Sequence, residues 1–226
     1  MWDKLLQLSS KYPIDLLSYI SSLIPIAAGL IRIKQLTKPA AFILLFFIFC
    51  FVKDTYALWY VLHALNTTFI QNIETLFQSL LTGVTYYYCF DKRLTKQVIA
   101  VITLLCAVII IVSYEEINVS VTALLSFRLL SIFLSLAYFN KILVDMRIRN
   151  VLRHTLFWFS AGLLIFSSGT FFIVLFSEYW YKDINKVPAE VFDKYWNASQ
   201  ILFIIFCCFS ALGLWFSKYD RENFIQ

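Results

Sequence analysis

Apolar positions along this chain come in long uninterrupted runs. Seven stretches stand out, at residues 14–33, 40–60, 63–90, 97–114, 118–140, 154–176 and 196–216. A helix needs about 20 such residues to cross the hydrocarbon layer of a bilayer. Strands of a membrane barrel would be shorter and would alternate, and in lipid only helices and closed barrels satisfy their own backbone. The pattern predicts an all-α polytopic membrane protein, a single seven-transmembrane-helix bundle with no soluble domain.

The third stretch departs from the pattern. In "HALNTTFIQNIETLFQSLLT", His63, Thr67, Gln71, Glu74, Gln78, Thr82 and, just beyond it, Thr85 follow one another at intervals of 4, 4, 3, 4, 4 and 3. At about 3.6 residues per turn they share one face. Thr68, Asn72, Thr75 and Ser79 form an adjoining row, while Phe69, Ile70, Ile73, Leu76, Phe77, Leu80, Leu81 and Val84 fill the opposite side. Exposing the polar face to lipid is costly, so it is expected to face the bundle interior or a wet cavity.

Other spans carry charges that would meet it. Glu74 and Arg128 each lie about 15 Å below the same end of the third and fifth spans, from a rise of 1.5 Å per residue. Those two helices are expected to run in one direction, which makes the opposite charges partners. Lys53 and Asp54, in the second span, lie about 10 Å deep and point about 100° apart, so they are expected to pair with other helices. Asn197 and Gln200 begin the seventh span, and Asp15 begins the first. Two uses compete for these residues: ion pairs that fix which helices are neighbours, or a pocket. The expected polar pocket comprises Lys53, Asp54, Gln71, Glu74, Gln78, Arg128 and Gln200.

Composition agrees with the pattern: 61% of residues are hydrophobic and 15% charged, and the mean hydropathy is +0.76. Charge adds an orientation. With the N-terminus outside, twelve Lys and Arg lie in cytoplasmic segments, five outside and two, Lys53 and Arg128, within spans. Positive residues favour the cytoplasmic side, which predicts an outside N-terminus and a cytoplasmic C-terminus. The leading "MWDKLLQLSSKYP" lacks the features of a signal peptide and is expected to stay in the mature chain.

Smaller features have simpler expectations. Tyr179, Trp180, Tyr181, Tyr195 and Trp196 are expected to anchor at the membrane interface. The segment "VPAEVFDKYW" suggests a short helix on the outer surface beginning at Pro188, as a lid or a plain interfacial helix. Asn66, Asn118 and Asn197 each open an N-x-S/T triplet at a span start, where helix capping is the simpler use than glycosylation. Pro25 removes a donor within the first span and should bend it, freeing the carbonyl of Ser21. The five cysteines, all within spans, suggest neither a disulfide framework nor a metal site.

The chemistry-bearing motifs of common enzymes are missing: there is no H-E-x-x-H, no G-x-S-x-G and no paired histidines, since His63 and His154 belong to opposite ends. The seventh span has no lysine for a retinal. No enzyme activity, cofactor or nucleic-acid partner is expected. Glycine- or proline-broken repeats of a secondary transporter are also missing. The topology resembles that of seven-helix sensory receptors, without their signature motifs. The expectation is a sensor or receptor-like module in the cell (inner) membrane. It would bind a small ligand from outside and signal to a cytoplasmic protein at the basic loop 140–153. The alternative is an ion or proton channel or transporter subunit with the third helix lining the path.

Overall fold

The computed structural model describes residues 12–63, 65, 67–115, 119–145, 150–182 and 189–220, with backbone alone at 177–182 and 189–192. Among the described residues there are helices and no strands. They are α1 (Pro13–Ser21), α2 (Leu23–Ile31), α3 (Lys38–Leu62), α4 (Thr68–Cys89), α5 (Arg93–Val112), α6 (Val121–Asp145), α7 (Thr155–Lys182) and α8 (Ala189–Phe216). Helices α1 and α2 together form the first span. Six spans are long and apolar enough to cross a membrane, as expected of an integral multi-pass membrane protein. The six do not include α4, which has the length, at 22 residues, but carries the polar stripe.

Several boundaries are set by local chemistry. The first span is interrupted at Ser22, three residues before Pro25, where the ring of a proline displaces the preceding turn. Ser21 and Ser22 turn their hydroxyls back onto the carbonyls of Ser18 and Tyr19. His63 closes α3 instead of opening the third span, with its Nδ1 2.8 Å from the Trp59 carbonyl. The expected stripe therefore loses its first member, and α4 starts five residues later than the sequence pattern suggested. Helix α8 begins at Ala189, so "EVFDKYW" opens a long helix and not a separate surface helix; Pro188 lies outside the described residues. Asn197 is then inside α8 and caps nothing, while Asn66 and Asn118 also lie outside the described residues.

The helices close into a ring. Going around, α2 packs on α3, α3 on α4, α4 on α6, α6 on α7, α7 on α8, and α8 back on α1 and α2; α5 lies outside, against α4 and α6. Helix α5 buries one stripe, including Ile99, Thr103 and Ile110, and exposes Leu104, Leu105 and Val112.

Helices α4 and α6 run parallel, as three contacts in matching register show. Asn72 accepts from the backbone of Ser120, Tyr86 meets Ser135, and Lys141 donates to the Cys89 carbonyl. The polar face of α4 points inward: Asn72, Thr75, Gln78, Ser79, Thr82 and Thr85 are buried while Ile73 and Phe77 are exposed. Of the predicted stripe, Gln78, Thr82 and Thr85 are buried and Thr67, Gln71 and Glu74 half-buried, so the polar side of α4 faces inward but is centred nearer the adjoining row of Asn72, Thr75 and Ser79.

A block of aromatic rings occupies the middle. Phe46 and Phe47 of α3 pack against Phe206 of α8, which also touches Phe159 and Phe166 of α7. Four of these five rings are at most 2% exposed.

Candidate functional site

The charged residues of α3 and α4 meet between the aromatic block and the end of the bundle that carries His63, here the Glu74 end. Lys53 Nζ lies 2.5 Å from Asp54 Oδ1 and 2.9 Å from Glu74 Oε2. One turn along α4, Gln78 Nε2 donates to the other Glu74 oxygen at 2.7 Å and lies 3.5 Å from Cys50 Sγ. Lys53, Asp54 and Glu74 keep side-chain exposures of 16%, 26% and 17%. They form a closed network: one ammonium between two carboxylates, with an amide on the second.

Two expectations about pairing change here. Lys53 and Asp54 do touch, although neighbouring positions diverge by about 100° around a helix. The flexible lysine stem folds its ammonium back beside Asp54 while reaching Glu74. Arg128 makes no ion pair with Glu74: Asn72 beside Ser120 and Tyr86 beside Ser135 set a register that puts Arg128 five or six residues, more than one turn, past the level of Glu74.

The Arg128 guanidinium instead lies 4.2 Å from the centre of the Phe166 ring and 5.2 Å from that of Phe127. Its Nε and Nη1 are buried without a hydrogen-bond partner. A cation over an aromatic face gains about 0.5 to 2 kcal/mol. Leaving a buried donor unmade costs about 1 to 3 kcal/mol, and more for a charged group. Two such donors outweigh the ring contacts.

Neither Gln71 nor Gln200 bonds to this network. Asp15, noted only as the start of the first span, accepts from Trp196 Nε1 at 2.8 Å and ties α1 to α8 at the same end. Tyr19 and Thr55 share a 2.9 Å hydrogen bond that ties α1 to α3.

A second polar network escaped the reading of the sequence. At the opposite end of the bundle, the His154 end, Tyr138 Oη lies 2.5 Å from His154 Nε2, and His154 Nδ1 lies 2.9 Å from Asp220 Oδ1. The same carboxylate oxygen accepts from the Thr155 backbone at 3.0 Å. Tyr138, His154 and Asp220 are 2%, 3% and 1% exposed. Nearby, Lys141 reaches both the Cys89 carbonyl and Asp91. Midway, Tyr86 Oη meets Ser135 at 3.0 Å and Ser160 at 2.8 Å, joining α4, α6 and α7 through one buried hydroxyl.

Among the described residues no cluster of His, Cys, Asp and Glu is arranged to hold a metal ion. No family model, curated protein or solved structure matches the chain.

Proposed function

We propose that this protein is a seven-helix membrane sensor or receptor-like module, N-terminus outside, that binds a small ligand beside Arg128 and signals to a cytoplasmic partner. The observation that carries this reading is the pair of buried, unpartnered nitrogens on Arg128. A charged donor in a membrane interior is costly unless something accepts from it. Glu74, its expected partner, bonds Lys53 and Gln78 instead, and the register of α4 on α6 places it more than one helical turn from the level of Arg128. A ligand with a carboxylate or another strong acceptor would accept from those two nitrogens, with Phe127 and Phe166 offering apolar contact.

Helix α4 serves in this reading as the third of seven crossings, its polar side hidden by its neighbours. The excess of Lys and Arg at the His154 end supports the orientation, and the basic segment 140–153 supports an acidic partner there; residues 146–149 lie outside the described ones. The channel alternative needs a wet path for ions or solutes. The aromatic block of Phe46, Phe47, Phe159, Phe166 and Phe206 counts against one through the middle.

The test is a melting-temperature series on the protein in lipid nanodiscs with acetate, butyrate and hexanoate, against the matching amides and amines. The acids should raise the melting temperature of the wild type and not of Arg128→Met. If no acid, amide or amine shifts the wild type, the ligand reading falls.

A further inference from the structure

Three spans meet cations at the His154 end of the bundle, and those cations share one pair of rings. Arg32 follows the last residue of α2, Arg153 closes the 3-10 turn Val151–Arg153 that leads into α7, and Lys218 lies in the 3-10 turn Ser217–Tyr219 that follows α8. The Arg32 guanidinium lies 4.6 Å from the centre of a Trp215 ring. Four residues further on, about one turn, the Tyr219 ring has the Arg153 guanidinium 5.2 Å and Lys218 Nζ 4.4 Å from its centre. The charges of Lys218, Arg153 and Arg32 all act on Tyr219. Segments far apart in sequence thus bring three positive charges together.

No carboxylate answers them. Among the described residues no ion pair joins Arg32, Arg153 or Lys218 to an acid. Asp220, next to Tyr219 in the chain, is turned inward, 1% exposed and bonded to His154 and the Thr155 backbone. Asp91 belongs to Lys141, over at α4 and α6. Arg32 Nε, moreover, is buried with no hydrogen-bond partner. A ring face attracts a cation but carries no net charge to neutralise it, so three like charges gathered beside a bilayer call for an anion.

We infer that Arg32, Arg153 and Lys218 form a binding site for a phosphomonoester, with Trp215 and Tyr219 as its floor. A phosphomonoester brings three acceptor oxygens and a charge of about −1.5 to −2, which suits three cations better than the single charge of a phosphodiester. A guanidinium can grip two of those oxygens at once, its Nε–H and one Nη–H acting as a fork, and the unpartnered Nε of Arg32 is one arm of such a fork. Lysine adds a compact charge on a flexible stem. The level of the site favours a lipid headgroup as the source of the phosphate. All three cations stand at span ends, and Trp215, 43% exposed, is an amphipathic ring of the kind that settles among headgroups. Basic sites between helices on the cytoplasmic side hold such headgroups, and this end is cytoplasmic in the orientation proposed above.

This site goes beyond ligand sensing at Arg128, which stands toward the other end of α6, and is tested apart from it. Native mass spectrometry of the full chain in detergent micelles measures binding of dioleoyl phosphatidate, a phosphomonoester, against dioleoyl phosphatidylglycerol, a phosphodiester with the same chains. Phosphatidate should bind the wild type several-fold more tightly. Arg32→Gln and Arg153→Gln should each weaken it about fivefold, the contribution of one Lys or Arg beside an anionic surface. Lys92→Gln, which removes a cation of the same end outside the cluster, should leave it unchanged. Arg153 is exposed, so its replacement leaves folding intact even where that of Arg32 does not. Glycerol phosphate that displaces phosphatidate at equal concentration upholds the site and makes its phosphate source soluble; failure to displace it makes the source a lipid. Equal affinity for the two lipids, full phosphatidate binding in Arg153→Gln, or the same loss in Lys92→Gln overturns the site and leaves the reading at Arg128 standing. Tighter binding of hexaglutamate than of either phosphate probe overturns it in favour of an acidic protein.

Discussion

Lys53 Nζ lies 2.9 Å from Glu74 Oε2 and binds α3 to α4 at the depth where α4 is most polar. The same ammonium holds Asp54, so a single cation neutralises part of two carboxylates. Removing one member of a buried pair typically costs about 3 to 5 kcal/mol. With the exposures here some solvent screening remains, and Lys53→Met is expected toward the lower end of that range, more than Asp54→Asn. Unfolding in mixed micelles, followed by helical signal, measures both.

Coupling energies separate the two candidate partners of Glu74. A double-mutant cycle of Lys53→Met with Glu74→Gln should give an interaction of about 1 to 3 kcal/mol, as contacting residues do. The cycle of Arg128→Met with Glu74→Gln should give clearly less, because no direct bond joins that pair. Equal couplings would mean that Arg128 reaches Glu74 in the membrane.

Spacing alone was enough to place the polar face of α4 inside, because that follows from helical geometry. The matched depth of Glu74 and Arg128 was not legible, because it rested on where each span begins: Asn72 lies beside Ser120 and Tyr86 beside Ser135, which puts Arg128 five or six residues past the level of Glu74. The identity of Glu74's partner was not legible, since a lysine stem samples a radius that backbone direction does not limit. The Tyr138, His154 and Asp220 network left no pattern at all. Its members stand singly, 16 and 66 positions from His154, and only the chain's return to the same end brings them together. His63 was misplaced for another reason: helix boundaries in an apolar chain have weak signals, and a histidine suits a helix end as well as a helix start.

The inward polar face predicts an accessibility pattern along α4. In a background with the five native cysteines replaced, nitroxide labels at Ile73 and Phe77 should collide freely with oxygen dissolved in lipid. Labels at Thr75 and Ser79 should be several-fold less accessible. A uniform profile would mean that α4 does not pack as described.

Close packing of α7 and α8 predicts a sharp effect at Gly213. A side-chain carbon there would come within 2.6 Å of the Thr155 backbone carbonyl, and the Gly213 carbonyl accepts from Thr155 Oγ1 at 3.0 Å. Backbone cannot rotate away as a side chain can. Gly213→Ala should destabilise by about 1 to 3 kcal/mol, the usual cost of overpacking, and a thermal melt in detergent measures it.

At the His154 end, His154→Ala would leave Asp220 with the Thr155 backbone donor and no imidazole, and Tyr138 without its partner. Buried groups left unmade cost about 1 to 3 kcal/mol each. Protease sensitivity of the C-terminal end should rise along with the fall in melting temperature, since Asp220 is what ties that end to the start of α7.

The central claim is that Arg128 is held ready for something other than this protein's own carboxylates. A high-resolution density map of the protein in lipid nanodiscs tests it most directly. The account predicts discrete density within hydrogen-bond distance of Arg128 Nε or Nη1, with Glu74 still on Lys53. A guanidinium bonded to Glu74, or enclosed by carbon atoms on every side, would contradict it.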